Sequence, residues 1–466
     1  MTAELTHFHL DVSDEGIATV LLDVAGERMN TIGPMIFEDF VTVLDRLEND
    51  DAIRAVVLGS AKPDNFLAGA DIRMFAMISE PAQAEEVVRS GQELYGRLEA
   101  LHAERSKPVI AAIHGPCLGG GLELALTASM RIATDHPKTR LGQPEVMLGV
   151  LPAFGGTQRL PELIGVAAAL DLILTGRSLR AGRAHKLGLV DEVAPPQVLL
   201  EVAQRRARQA IENGPAATPT RSKSWLSPAT LQQLALEQTP MGRRMLFSKA
   251  EEKMLEETHD NYPAHGRALE AVRIGIEEGH EAGYDAEARF FGELVLTPEA
   301  KALQWIFFAD QMLKKETWVP AGVDPKPVDK VGILGGGHMG GGIAAASTIR
   351  SGTTTRLKEI DDAGVGRGLA YVRKVLDGQV KRRRMRPFEA EQAMNRVTGT
   401  TDWSGFGNVD LVIEAVFESL ELKQTLLQEV EAVTEDDTVF ASNTSSIPIS
   451  DIAAAASRPE TVLGMH

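Results

Sequence analysis

The stretch HGPCLGGGLELAL at 114–126 joins a strand-like run to a helix-like one through three consecutive glycines, and Glu123 follows three residues after Gly120. Glycine tolerates backbone angles that other residues resist and lets a bound molecule approach the main chain. The helix expected from about Leu122 begins with unpaired N–H groups at the positive end of its dipole. Such a turn suits a negatively charged oxygen, and the three-residue spacing points Gly120 and Glu123 toward the same molecule. Taken alone, the segment reads equally well as a tight turn with an acid in a first helical turn. A second small-residue turn, FLAGADI at 66–72, could aim the N–H of Ala70 at a ligand. Asp71 within it also reads as an ordinary helix cap. A third segment, LGQPEVMLGVLPAFGGTQRLP at 141–161, carries Glu145 directly after Pro144. The proline keeps Gln143 and Glu145 out of a continuous helix and leaves the acid on a loop, while Thr157 reads as a helix N-cap. Two carboxyl groups with two main-chain donors are the parts needed for proton transfer beside a developing oxyanion.

A separate glycine pattern, VGILGGGHMGGGI at 331–343, has the spacing Gly335-x-Gly337-x-x-Gly340 between a strand-like and a helix-like run. The first glycine allows the turn, the second admits a pyrophosphate, and the third lets helix and strand pack closely. An acid about 20 residues on would hold the ribose hydroxyls. Glu359 in TTTRLKEID fits, with Asp361 as a nearby competitor. An acid there favours NAD over NADP, whose additional phosphate it would repel.

The elements that must position these residues are legible in outline. Val- and Ile-rich runs at 17–23, 53–60, 108–114 and 131–134 read as strands, and 34–48 and 81–103 have helical spacing. Strands alternating with helices indicate an α/β domain over residues 1–190, closed by short helices at 160–175 and 181–187. Residues 191–316 read as an α-helical connector packed on that domain, with amphipathic stretches at 266–279 and 285–314. Pro320, Pro325 and Pro327 mark a linker at 317–329. A new βα unit begins at 330 and runs to 466.

Composition narrows the partners. The 466 residues carry 48 basic and 65 acidic side chains, a net charge of -17, which argues against nucleic acid as a partner. One cysteine precludes a disulfide within the chain and fits a reducing compartment. Neither a signal peptide nor an apolar run long enough for a membrane span is present, so a cytoplasmic location is expected. No metal site is expected.

The motif order IAAIHGPCLGGGLELAL, LGQPEVMLG, FGGTQRLPELIG and LTGRSLRAGRAHKLGLVDEV resembles the crotonase (enoyl-CoA hydratase/isomerase) superfamily. The resemblance implies a ClpP-like spiral fold and an enoyl-CoA hydratase that needs no cofactor. Glu123 and Glu145 would be its catalytic pair, Ala70 and Gly120 its oxyanion donors, and Ala70, Asp71 and Gly120 would contact the acyl-CoA thioester. Ala153 and Glu162 stand where the family usually has glycine and arginine. Further on, VDLVIEAVFESLELKQ, VFASNTSSIPISDIA and VLGMH resemble 3-hydroxyacyl-CoA dehydrogenases. That resemblance implies a Rossmann domain whose NAD site includes Met339, Glu359, Val416, Phe417, Glu418, Lys423 and Ser445, with His466 as catalytic base. For Glu418 and Lys423 alone, the plainer reading is a solvated helix start. Thr353, Thr354 and Thr355 make the second strand more polar than is usual in the family.

The two parts in this order resemble the multifunctional α-subunits of bacterial fatty-acid oxidation complexes, of the type used in anaerobic β-oxidation. That family implies a thiolase β-subunit as partner, a possible 3-hydroxybutyryl-CoA epimerase activity, and a substrate contact at Asp310, which otherwise reads as a solvated helix acid. In the family the histidine at 466 is followed by more sheet, an orienting glutamate and a substrate domain. The NAD-binding domain is therefore expected to be incomplete, to bind NAD weakly, and to show negligible dehydrogenase activity. The alternatives are a Δ3-Δ2-enoyl-CoA isomerase and a non-catalytic acyl-CoA-binding or assembly module.

Overall fold

Short runs of Val, Ile, Leu and Ala build the sheets of the first unit. The computed structural model describes residues 5–214, 237, 239–316, 319, 322–382 and 384–466. Strands β1 (Phe8–Val12), β2 (Ile17–Leu22), β3 (Ala55–Ser60), β4 (Val109–Ile113), β6 (Met130–Thr134) and β9 (Glu192–Ala194) form one six-stranded sheet in the order β1-β2-β3-β4-β6-β9. Within that sheet, among the described residues, only β1 and β2 pair antiparallel. Strands β5 (Pro116–Leu118), β7 (Arg140–Gly142) and β8 (Ser178–Arg180) form a second, smaller sheet. Strand β4 is buried at every position, as expected for a parallel strand covered on both faces. One face of the larger sheet packs against helices Pro34–Asn49 and Pro81–Ala103, and the other is sealed by helix Leu199–Asn213.

The chain divides into two compact units, Met1–Thr317 and Trp318–His466. Helix Leu199–Asn213 and helices Pro263–Glu278 and His280–Val295, expected to form a connector, are built into the core of the first unit. The boundary expected at 190 is thus not a break in packing. The helix expected at 160–175 is two, because Gly165 has φ +87 between Gly156–Ile164 and Val166–Thr175. The stretch expected at 285–314 is likewise divided, since Pro298 cannot continue a helix and Thr297 caps the next one. Four positions of the expected linker, 317, 318, 320 and 321, lie outside the described residues, as do 215–236 and 238 of the connector.

In the second unit β10 (Lys330–Leu334), β11 (Thr354–Lys358), β12 (Val397–Thr400), β13 (Leu411–Glu414), β14 (Val439–Ser442) and β15 (Val462–Gly464) are all parallel. Their order, β12-β11-β10-β13-β14-β15, is that of a doubly wound dinucleotide fold, with the switch point between β10 and β13. The polar β11 packs through Leu357, which is fully buried. Among the described residues the buried hydroxyls of Thr353 and Thr355 find no hydrogen-bond partner, a cost of about 1–3 kcal/mol each. Among the described residues no helix is long and apolar enough to cross a membrane.

Candidate active site

The glycine turns at 66–70 and 116–120 run side by side. Leu67 bridges Cys117 in parallel, and Leu118 N donates to Leu67 O at 3.1 Å. The same offset, continued for three residues, brings Ala70 beside Gly120. Gly69 and Gly119, each just before a donor, have φ +99 and +54; a Cβ at Gly69 would stand 3.2 Å from Leu118 O, and one at Gly119 2.7 Å from Glu145 Oε1. Ala70 also bridges Ile32. Ile32 N donates to Gly69 O and Asp71 N to Ile32 O, both at 2.8 Å, so Ala70 turns its own N–H to the other side. Among the described residues the N–H groups of Ala70 and Gly120 have no protein acceptor. Tyr95 Oη donates to Gly120 O at 2.8 Å and fixes that peptide.

Both donors line a cavity of about 310 Å³ together with Glu123 and Glu145. Its remaining wall is largely apolar, from Phe37, Phe75, Leu151, Phe154 and Phe291 among others. The helix carrying Glu123 begins at Gly120 rather than Leu122. Glu123 is 3% exposed, and its Oε1 accepts from Phe154 N and Gly156 N, both at 2.7 Å. Glu145, expected on an open loop, starts a single 3-10 turn, Glu145–Leu148, after Pro144. It is half-buried and opens onto the cavity. The hydrogen-bond pattern sets the Gln143 amide nitrogen toward both Glu145 oxygens (3.0 and 3.2 Å) and the Gly119 carbonyl (3.3 Å). Thr157 lies inside its helix, whose N-cap is Gly155 at φ +99.

Burial pushes Glu145 up to about 8, with the nearby charge of Glu287 adding to it. Glu123 is held well above the usual carboxylate range by burial first, then by repulsion from Glu145 and Glu287. A pair so disposed retains a proton near neutrality and titrates as a unit. One member can then donate while the other accepts.

Not every expected contact is at this cavity. Asp71 caps the 3-10 helix Ile72–Met77 by accepting from Arg73 N and pairs with the Arg73 side chain, and it does not line the cavity. Asp310 is exposed on helix Pro298–Lys315, pairs with Lys314 one turn on, and is also absent from the lining. Ala153 fits without strain: it is buried, and its carbonyl accepts from Gln92 Nε2. Glu162 finds a counterpart in His280 at 3.2 Å. The main additions that motif reading missed are Gln143 as a partner of Glu145, and Glu287. Gln143 was within reach, since it flanks Pro144 opposite Glu145; Glu287 sits in no motif.

In the second unit the three fingerprint glycines play distinct parts. Gly335 has φ +98, and a Cβ there would come within 2.7 Å of Ala415 O. A Cβ at Gly340 would stand 1.8 Å from Gly335 O, whereas one at Gly337 would meet nothing within 4 Å. The turn is therefore tight beneath the helix and open above Gly337, which leaves the main chain there accessible to a ligand. Met339 is exposed in the first turn of helix His338–Arg350. Glu359 follows β11 and accepts from Gly336 N at 2.6 Å, which ties it to the glycine loop. Asp361 instead caps helix Asp362–Lys381. Val416, Phe417 and Glu418 follow β13 at the switch point, with Phe417 fully out in solvent.

Lys423 is not part of a solvated helix start, whereas Glu418 is exposed. Lys423 is fully buried, with both Glu414 oxygens at 2.8 Å and Glu418 at 3.2 Å. Its ammonium braces the end of β13 from below. Glu418 also accepts from Thr444 Oγ1 and Ser445 N, and these bonds hold it down to about 2. Ser445 and His466 line one shallow concavity with the turn 444–449.

Residues 13–266 match the family Enoyl-CoA hydratase/isomerase, and residues 330–466 match the NAD-binding domain of 3-hydroxyacyl-CoA dehydrogenase. A fatty acid oxidation complex subunit alpha of Idiomarina loihiensis is 47% identical over 459 residues, 98% of this chain and 63% of that protein. The chain thus spans about 63% of the length of this curated relative. Among solved structures, an enoyl-CoA hydratase from Bacillus anthracis is 29% identical, covering 59% of this chain and 97% of its own, with TM-score 0.42. A (S)-3-hydroxybutyryl-CoA dehydrogenase from Ralstonia eutropha is 36% identical, covering 30% of this chain and 49% of its own, with TM-score 0.29. Matched over more than half its length, this chain belongs to the enoyl-CoA hydratase/isomerase family.

Proposed function

We propose that the first unit hydrates trans-2-enoyl-CoA thioesters to 3-hydroxyacyl-CoA, using Glu123 and Glu145 as its acid/base pair. The observation that carries this reading is the meeting, among the described residues, of two unpaired N–H donors and a carboxyl pair that retains a proton on one apolar cavity. The thioester oxygen accepts from Ala70 N and Gly120 N. Water resting between the carboxyls loses a proton to the ionised one as its oxygen bonds to C3. The electron pair of the double bond moves toward the thioester oxygen, and the protonated carboxyl delivers a proton to C2. Each oxyanion donor is worth about 3–4 kcal/mol in reactions of this kind. The apolar wall receives the acyl chain.

We further propose that the second unit serves NAD-dependent oxidation of the resulting 3-hydroxyacyl-CoA. NAD, when bound, supplies a hydride acceptor. Gly335, Gly337, Met339 and Gly340 would hold its pyrophosphate, and Glu359 its ribose. Val416, Phe417 and Ser445 would border it, and His466 would take the proton of the 3-hydroxyl. The name of the Idiomarina relative, a subunit of a complex, supports assembly with another chain; the resemblance stated above makes that chain a thiolase.

Loss of the conjugated-enoyl absorbance of crotonyl-CoA, with and without NAD, tests the hydratase. Glu123→Gln keeps an oxygen for the Phe154 and Gly156 amides but cannot exchange the proton. The rate is expected to fall by about 10²–10⁴ with crotonyl-CoA affinity kept. A wild-type chain that leaves crotonyl-CoA unchanged but conjugates 3-enoyl-CoA would make it an isomerase. One that binds and converts neither would make it a binding module.

A further inference from the structure

Four consecutive residues, 154–157, lie between two buried carboxylates. Phe154 N and Gly156 N donate to Glu123 Oε1, each at 2.7 Å. The alternate amides, Gly155 N and Thr157 N, donate to Glu287 at 2.8 and 3.0 Å. Thr157 Oγ1 adds a bond to Glu287 at 2.6 Å, and Gln92 Nε2 one at 3.2 Å. Glu287 is fully buried on helix His280–Val295, beyond the residues that match the hydratase family.

We infer that Glu287 is a positioning residue for the hydratase, gripping one set of amides of the 154–157 turn so that the other set aims at Glu123. A turn of this kind has no side chain of its own that could fix both peptide directions. With alternate N–H groups engaged by Glu287, the remaining two converge on a single oxygen of the catalytic glutamate. The helix that carries Glu287 is seated for this purpose. Gln158, next in the chain, wedges between helices Pro263–Glu278 and His280–Val295, and donates to Ala271 O and Thr157 Oγ1. A Cβ at Gly275 or Gly283 would overlap the Gln158 side chain at 1.6 and 2.2 Å. Both helices thus approach the turn as closely as glycine allows. Burial favours the neutral form of Glu287, and the Thr157 hydroxyl, the Thr157 and Gly155 amides and the charge of Arg159 oppose it, leaving the group pushed up to about 7.

The inference rests on the hydratase reading but has a test of its own. Glu287→Gln presents an NH2 group to donors on one side, so two of the four bonds cannot form. Hydrogen exchange of a peptide spanning 152–160, read by mass spectrometry on the whole chain, should accelerate at least about tenfold. Peptides from β2, β3 and β4 should be unchanged. With crotonyl-CoA, kcat should fall by about 10- to 100-fold while KM stays within about threefold, because misplacing the acid affects the transition state and not binding. Thr157→Val, which removes one donor, should move both readouts the same way by a smaller amount. A folded Glu287→Gln protein with unchanged exchange at 152–160, or with unchanged kcat, overturns the inference. If the wild type hydrates nothing, the hydratase reading falls, and the exchange arm still decides whether Glu287 holds the turn.

Discussion

Alanine at Gly156 probes the active site where its tolerance is smallest. A Cβ there would stand 2.7 Å from Glu123 Oε1, 2.6 Å from the end of the Gln143 side-chain amide and 2.9 Å from Pro152 Cβ. Ordinary contact begins near 3.4 Å, so the carboxylate would have to retreat by about 0.7 Å, the difference between 3.4 and 2.7 Å. Its bonds from Phe154 N and Gly156 N, now 2.7 Å, would lengthen to about 3.4 Å, where they contribute little. Hydrogen bonds to a charged group are worth about 1.5–3 kcal/mol, and tenfold in rate corresponds to about 1.4 kcal/mol. One such bond lost predicts a kcat roughly 10- to 100-fold lower, and the loss of both a larger fall. Gly156 has no positive φ, so backbone strain does not confound the result. Initial rates of crotonyl-CoA hydration give kcat and KM, and thermal melting verifies that the variant is folded. A folded Gly156→Ala enzyme with kcat within about twofold of wild type would refute the placement of Glu123.

Three other expectations follow from buried charge and glycine packing. Glu145 at about 8 and Glu287 at about 7 bind protons more tightly folded than unfolded. The stability this gives is full below about pH 4 and is lost as pH rises through 7 and 8. Thermal melts at constant ionic strength should therefore show the first unit weakening between about pH 5 and pH 8, with a shallower slope in Glu287→Gln. Equal slopes would contradict the assigned direction. In the second unit, Lys423→Met leaves Glu414 buried without its cation and should cost about 3–5 kcal/mol in urea unfolding. Replacing both partners by apolar residues should recover much of that, and a single variant with wild-type stability would contradict the burial. Gly337→Ala should melt like wild type but bind NAD more weakly by fluorescence titration, whereas Gly340→Ala should lower the melting temperature. The reverse order would exclude the assigned roles of the two glycines.

Much of the site could be read from residue order because its parts are local. Glycines before Ala70 and Gly120, and an acid three residues after Gly120, are consequences of short-range geometry. The strands bearing them announced themselves through runs of β-branched residues. Element ends were less legible: the helix divisions at Gly165 and Pro298 depend on single residues that interrupt an otherwise continuous pattern. The solvated reading of Lys423 failed for a different reason. Its burial depends on Glu414, nine residues earlier on a strand, and no periodicity reveals that the two face each other.

From residue order alone follow the small-residue turns at Ala70 and Gly120, the acid three residues after Gly120 and the dinucleotide turn, since each is encoded within a dozen consecutive positions; Glu123 and Glu145, 22 positions apart (145 − 123 = 22), are paired only through the family resemblance. Tertiary structure alone decided that Asp71 and Asp310 turn away from the cavity, that Gln143 attends Glu145, and that Glu287 holds the turn supporting Glu123. Proton affinity was likewise undecided until the chain folded, because desolvation and repulsion between carboxylates arise from residues up to 164 positions apart, as Glu123 and Glu287 are (287 − 123 = 164). Motifs specify which groups are available. Packing of distant helices sets where their oxygens point and which of them keep a proton.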